Sequence, residues 1–253
     1  MIEEPLQRHF TLRAPAFERS AGWISDPGLL QAITSAVRLP PSARLLDVCC
    51  GTGIVGAAFR ELVGRVEGLD LTEAMLAIAR KHLDAVHRGS AHQMPFAAGA
   101  FDAVVSRQAW HLLEDPALAV REMARVLAPG GHLIYAHAVP YGAADEAWMR
   151  QVFLARQPLA TGFLLESDLR HLLSKAGLER VCVTEHLLWE SIDRWLDVPD
   201  LSQPTQEQIR ACYRNIPAET AAVHPIEFST SGSIRDQWRW VVISATKPRG
   251  DAP

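Results

Sequence analysis

The sequence predicts an α/β fold built on a doubly wound, mostly parallel sheet of seven strands. Short apolar runs alternate with helix-period patterns from about residue 28 to residue 189, the mark of βαβ units. One of these runs ends in a glycine-rich turn that opens a helix. The length, 253 residues with 48% hydrophobic and 21% charged, suffices for a sizeable core of this kind. The expected strands lie near 44–48, 66–70, 86–90, 101–107, 132–139, 181–188 and 238–246. Between the fourth and fifth, Asp115 caps a helix, Pro116 suits its first turn, and Leu118, Met123, Val126 and Leu127 form its apolar stripe, with Pro129-Gly130-Gly131 to end it. A later helix starts near Ser167 and Asp168, carries Leu169, Leu172 and Leu173 on one side, and stops at Gly177.

The chain divides into an N-terminal arm (1–27), a core (28–189), an insertion (190–237) and a final core strand with its tail (238–253). In the insertion Thr205 and Gln208 are spaced as a capping box, and Ile209, Cys212, Tyr213 and Ile216 follow on one helical face. The insertion reads as a helical cap over the carboxyl edge of the sheet.

With 25 Lys plus Arg against 29 Asp plus Glu, the net charge is −4 and no dense basic run exists, so no nucleic-acid partner is expected. The start, Met1-Ile2-Glu3-Glu4-Pro5, is acidic where a secretion signal needs positive charge, and no run of about 18 apolar residues follows, so no membrane span and a cytoplasmic address are expected. Cys49, Cys50, Cys182 and Cys212 match neither a zinc pattern nor a disulfide framework, and no metal is expected.

The stretch from Leu45 to Gly56 carries Gly51-x-Gly53-x-x-Gly56, which allows a ligand to approach the backbone. Alone it satisfies the dinucleotide fingerprint, with Asp70 at the end of the second strand placed to grip a ribose diol, so a nicotinamide or flavin oxidoreductase is a rival reading. Asp47 argues against it: a carboxylate at the end of the first strand repels a pyrophosphate and welcomes a cation. S-adenosylmethionine carries an ammonium, a sulfonium and a ribose but no phosphate. Asp47 can also brace the loop through backbone N–H groups, and Asp70 can cap the helix that follows.

These segments in register resemble the class I S-adenosylmethionine-dependent methyltransferases of the type 11, UbiE-like group. Beside the glycine turn, the resemblance rests on Gly68-Leu69-Asp70-Leu71-Thr72-Glu73-Ala74-Met75-Leu76, on Gly89-Ser90-Ala91-His92-Gln93-Met94-Pro95-Phe96, on Phe101-Asp102-Ala103-Val104-Val105-Ser106 with His111, and on Glu122-x-x-Arg125-Val126-Leu127-x-Pro129-Gly130-Gly131. It is strong over about residues 40–140. It implies a Rossmann-like sheet whose last strand is antiparallel, with the N-terminal arm as a lid. It also implies a cofactor site of Asp47, Cys49, Gly51, Gly53, Asp70, Leu71, Met75, Ser90, Ala91, His92 and Ser106, binding S-adenosylmethionine and releasing S-adenosylhomocysteine. Three positions depart from the family. Cys49 replaces a usual Gly, Ser90 stands where an Asp commonly receives the adenine amino group, and Phe17, in the lid pattern with Phe10 and Ala14, replaces a frequent Tyr.

In such a reaction an electron-rich atom displaces the sulfonium methyl, and alignment in a dry pocket supplies much of the rate. A protonated nucleophile also needs a base, and His111, just after the fourth strand, is the candidate, against a structural role with its ring bonded to a backbone carbonyl. Phe17, Trp110, His137 and Tyr141 are the expected acceptor contacts. The expected function is O- or C-methylation of a small organic acceptor such as a phenolic, quinone or natural-product intermediate. The alternative within the fold keeps the cofactor but does pericyclase-like chemistry or binding alone.

Overall fold

The computed structural model describes residues 3–250. Helix α1 (Glu3–Arg13) and two short 3-10 turns, Ala14–Arg19 and Gly22–Ile24, make the N-terminal arm. Asp26 caps α2 (Pro27–Ser35) by accepting from Leu29 N–H at 2.7 Å, with Pro27 in the first turn. Then come β1 (Arg44–Val48), α3 (Ile54–Ala57), β2 (Arg65–Asp70), α4 (Glu73–Ala79), β3 (Ala85–Arg88) and β4 (Phe101–Arg107). After a 3-10 turn at Trp110–Leu112 follow α5 (Pro116–Val126), β5 (Leu127–Val139), α6 (Ala143–Arg156), α7 (Glu166–Lys175) and β6 (Glu179–Ser191). The chain ends with α8 (Ile192–Leu196), α9 (Gln203–Arg214), α10 (Ala218–Ala221), β7 (Ile226–Phe228) and β8 (Ile234–Thr246).

The main sheet runs β3-β2-β1-β4-β5-β8-β6, parallel from β3 through β5, with β8 antiparallel to both its neighbours. The order reverses beside β1, and in such sheets ligands collect outside the carboxyl ends of the strands at that reversal. Both faces are buried, as a parallel sheet requires. Leu45, Ala103, Ile134 and Trp240 turn to one face, where Ile24, Leu29, Trp148 and Val152 cover them. Their chain neighbours Leu46, Val104, Leu133 and Val241 turn to the other, beneath Trp110, Met123 and Leu173.

The seven expected strands and the antiparallel last one are present, and β7 adds a short eighth that pairs with β8. Two local expectations are corrected. Asp115 does cap α5, accepting from Leu118 N–H at 2.8 Å, but Pro129-Gly130-Gly131 lies inside β5, since the strand starts at Leu127 and its ladder to β4 is irregular between Phe101 and Ala103. The cap of α9 is Ser202 rather than Thr205, because Pro204 is suited to a first turn and moves the helix start upstream. No helix of the described residues is long and apolar enough to cross a membrane.

A buried ionic clasp secures the 190–237 insertion. His224 faces Asp145 of α6 through Nδ1 and Asp236 of β8 through Nε2, each at 2.7 Å, while the Tyr213 hydroxyl of α9 donates to Asp236 at 2.7 Å. Asp145 also accepts from the N–H groups of Tyr141 and Gly142. Burial disfavours the imidazolium, but the two carboxylates outweigh it and raise His224 from 6.5 to about 9. A histidine raised in the fold stabilises fully below its unfolded pKa and loses that contribution as pH climbs through the folded one. The midpoint of thermal unfolding should therefore fall between pH 6.5 and about 9. His224→Gln should cost roughly 3–5 kcal/mol near neutral pH and flatten that part of the profile; an unchanged profile in calorimetry would refute the clasp.

Candidate active site

The turn after β1 is built by its backbone. Cys49, Gly51 and Gly53 have φ of 58°, 54° and 83°, a left-handed run that costs a side-chain-bearing residue about 1 kcal/mol and glycine nothing. Cys50 N–H donates to Leu69 O at 3.0 Å, tying the turn to β2. Asp47, at 1% exposure, accepts from Gly56 N–H at 2.8 Å and braces the start of α3. A Cβ on Gly56 would stand 2.8 Å from Leu83 Cδ2 and 3.1 Å from Asp47 Oδ2, so glycine permits this approach. Asp70 at the end of β2 takes Gly51 N–H on one oxygen (2.9 Å) and Thr72 N–H on the other (2.8 Å), locking the two loops in one arrangement.

Between these loops and the arm lies a cleft of about 1090 Å³, part of it open to solvent. Its floor includes Asp47, Cys49, Gly51, Thr52 and Asp70; Leu71, Met75 and Ala91 form an apolar wall; Leu6, Phe10 and Phe17 cover it from the arm. At one edge a hydrogen-bond chain is readable. Asp115 N–H donates to His92 Nε2, which sets the ring's proton on Nδ1 towards Ser90 Oγ, and the Ser90 hydroxyl donates to Glu3 at 2.7 Å. At the other edge Arg107 donates to the carbonyls of Trp23 and Ile24 and lies 5.0 Å from the Trp23 ring. Burial lowers Arg107 to about 10 and raises Asp47 from 3.8 to about 7, the second offset in part by Gly56 N–H and by Arg107. Burial also pushes the thiols of Cys49 and Cys50 up, so neither is a ready nucleophile at neutral pH.

The carboxyl ends of β1, β2 and β4, which floor this cleft, fall within residues 46–135, which match the family described as "Methyltransferase domain". This stretch is similar to a methyltransferase domain. It is 27% identical over 197 residues to the demethylmenaquinone methyltransferase of Bacillus cereus, covering 66% of this chain and 81% of the relative. The structure superposes on a candidate methyltransferase, BH2331 of Bacillus halodurans, with a TM-score of 0.76 at 26% identity, covering 87% of this chain and 98% of that one. YcgJ of Bacillus subtilis shares the fold, with a TM-score of 0.79 at 22% identity over 87% of this chain and 98% of the other.

Asp47, Cys49, Gly51, Asp70, Leu71, Met75, Ser90, Ala91, His92 and Phe17 all reach the cleft, and Gly53 shapes the turn beneath it. Ser106, Trp110, His137 and Tyr141, expected as ligand contacts, do not line it. Side chains alternate along a strand, so when Arg107 faces the cleft Ser106 turns to the opposite face, where it is 0% exposed. Trp110 stacks on Tyr135 at 3.7 Å in the second hydrophobic cluster. His137 shares a strand face with Tyr135, bonds its hydroxyl through Nδ1 at 3.2 Å, and is lowered by burial to about 3. The Tyr141 hydroxyl donates to Gln237 O at 3.0 Å, and its ring packs beside the clasp histidine.

His111 also lies behind the cleft wall. Its backbone carbonyl accepts from Thr161 N–H at 2.8 Å, yet its ring bonds no carbonyl among the described residues, packing edge-on against Phe153 at 4.8 Å with Nδ1 buried and unpartnered. Burial holds it well below 6.5, so the imidazole is neutral. Sequence reasoning missed Glu3, Trp23, Arg107 and Gln108 as cleft residues; a cation directly after the buried run 103–106 of β4 was the available signal for Arg107.

The Tyr135 hydroxyl accepts from the N–H groups of Ala109 and Trp110 and so fixes the turn that carries His111. Tyr135→Phe should leave two buried donors unpaired and cost about 1–3 kcal/mol in urea unfolding. A variant as stable as wild type would show that the turn holds without this hydroxyl.

Proposed function

We propose that the domain transfers the methyl group of S-adenosylmethionine to oxygen or carbon of a small organic acceptor. The observation that carries the reading is the charge of the cleft. Glu3, Asp47, Asp70 and Glu114 line it against a single guanidinium, Arg107, already engaged with two carbonyls. A pyrophosphate finds one cation there against four carboxyl groups, whereas an ammonium and a sulfonium find the carboxylates themselves.

The residues fit the cofactor. A Cβ on Gly51 would meet only Phe17, at 3.9 Å, so this backbone is bare towards the cleft. Thr52 Oγ1 on the floor is buried without a partner, a ready group for a polar ligand. Each Asp70 oxygen retains a lone pair beyond its one backbone donor, enough for ribose hydroxyls. Leu71, Met75 and Ala91 offer a flat apolar surface for adenine.

When bound, S-adenosylmethionine supplies an electrophilic methyl on sulfur. The chain's own part is alignment and dryness: Leu6, Phe10 and Phe17 exclude water from above, while the turn and Asp70 hold the ligand's position. His111, behind the cleft wall, is the candidate to take the proton of a phenolic or carbon acid that reaches its buried, unpartnered Nδ1. The acceptor named for the Bacillus cereus relative, demethylmenaquinone, makes quinone and phenolic compounds the class to examine first.

Calorimetric titration with S-adenosylmethionine, S-adenosylhomocysteine and NADH tests the reading. The first two should bind and NADH should not; NADH binding alone would overturn it. Asp70→Ala frees the N–H groups of Gly51 and Thr72 and should weaken S-adenosylhomocysteine at least about tenfold. Because Asp47 titrates near 7 and only its ionised form attracts a cation, affinity for S-adenosylmethionine should rise from about pH 5.5 to 7, and Asp47→Asn should remove the slope. His111→Ala should lower kcat while S-adenosylhomocysteine affinity and melting temperature stay in place; loss of fold would assign His111 a structural role instead.

A further inference from the structure

Away from the cofactor cleft, four elements bring their polar groups together. Arg13 and His9 from α1 bind the two oxygens of Asp200 at 2.8 and 2.7 Å. Arg156, at the end of α6, donates through Nε to Trp195 O at 2.9 Å, lies 5.3 Å from the Trp195 ring, and has no ion-pair partner among the described residues. Arg13 and Arg156 are 7% and 4% exposed and close enough to repel each other, which together with burial lowers Arg156 to about 9. Two guanidinium groups, with His9 beside them, thus gather around one carboxylate in a buried place, leaving at least one positive charge unbalanced, a costly arrangement unless an anion completes it.

The same region concentrates unpartnered buried polar atoms. Arg13 Nη2, His9 Nε2 and Gln157 Oε1 all lack a hydrogen bond. Buried polar groups are almost always paired, so such a gathering marks a place built for a ligand. An aromatic path joins it to the cofactor cleft: Trp23 on the cleft wall packs on Trp240 (5.2 Å), Trp240 on Trp238 (6.4 Å), and Trp238 on Trp195 (5.2 Å), beside Arg156. Phe153, one turn before Arg156, touches His111.

We infer that Arg13 and Arg156 form an anion subsite for the acceptor, and that the acceptor is an aromatic acid bearing a carboxylate. This rests on the methyl-transfer reading for its purpose, though not for its chemistry. One unbalanced positive charge matches a monoanion, and a planar guanidinium pairs with a planar carboxylate through two parallel N–H bonds. Aromatic walls accommodate the ring of the same molecule. His9 and Arg13 come from the lid helix, so the acid also completes the closed lid.

The test uses the full chain saturated with S-adenosylhomocysteine and three probes: benzoate, its neutral counterpart benzamide, and inorganic phosphate. Benzoate should bind and raise the melting temperature, and benzamide should not. Arg156→Gln should weaken benzoate about tenfold or more and leave S-adenosylhomocysteine affinity unchanged. Equal binding of benzoate and benzamide, absence of benzoate binding, or binding of phosphate alone would overturn the subsite. The wild-type comparison decides even if the variant fails to fold. Failure of S-adenosylhomocysteine itself to bind would instead refute the methyl-transfer reading, and benzoate against benzamide then judges the subsite separately.

Discussion

The site depends on one carboxylate that fastens two loops. Asp70 accepts Gly51 N–H and Thr72 N–H on opposite oxygens, and so fixes the left-handed turn after β1 against the end of β2. The other constraints follow from this placement. Cys49 is held at a positive φ that it does not favour, Gly56 lies against Asp47, and Leu71 and Met75 present an apolar wall. A strained backbone persists when its surroundings over-determine it. Here those surroundings are a short parallel sheet buried on both faces, with little freedom to relax.

The acceptor side is held differently. The cofactor loops rely on backbone geometry, whereas the 190–237 insertion is fastened by side-chain charge, through His224 between Asp145 and Asp236 and through Asp200 towards the lid. Removing one partner of such a buried pair strands the other charge and is strongly destabilising.

Much of the sheet was legible because strands buried on both faces read as apolar runs, and because Asp115, Pro116 and Gly177 are local signals whose partners sit within a few residues. The cofactor floor was legible for the same reason, each residue lying in a contiguous motif. The acceptor side was not. His9, Arg13, Arg156 and Asp200 are far apart in the chain, and nothing local distinguishes them from surface charges. The misplacement of Ser106, Trp110, His137 and Tyr141 has a simple cause: proximity to the carboxyl edge was readable, but the face each side chain takes was not. For Ser106 and His137 a shift of one residue along the strand decides it.

Helix α1 touches both ends of the substrate route. Its first residue, Glu3, holds Ser90 at the cleft edge, while His9 and Arg13 two turns later hold Asp200 in the insertion. A rigid helix anchored at two points cannot lift from one without disturbing the other. A displacement of α1 at the cleft edge is therefore felt at Asp200 in the insertion as well.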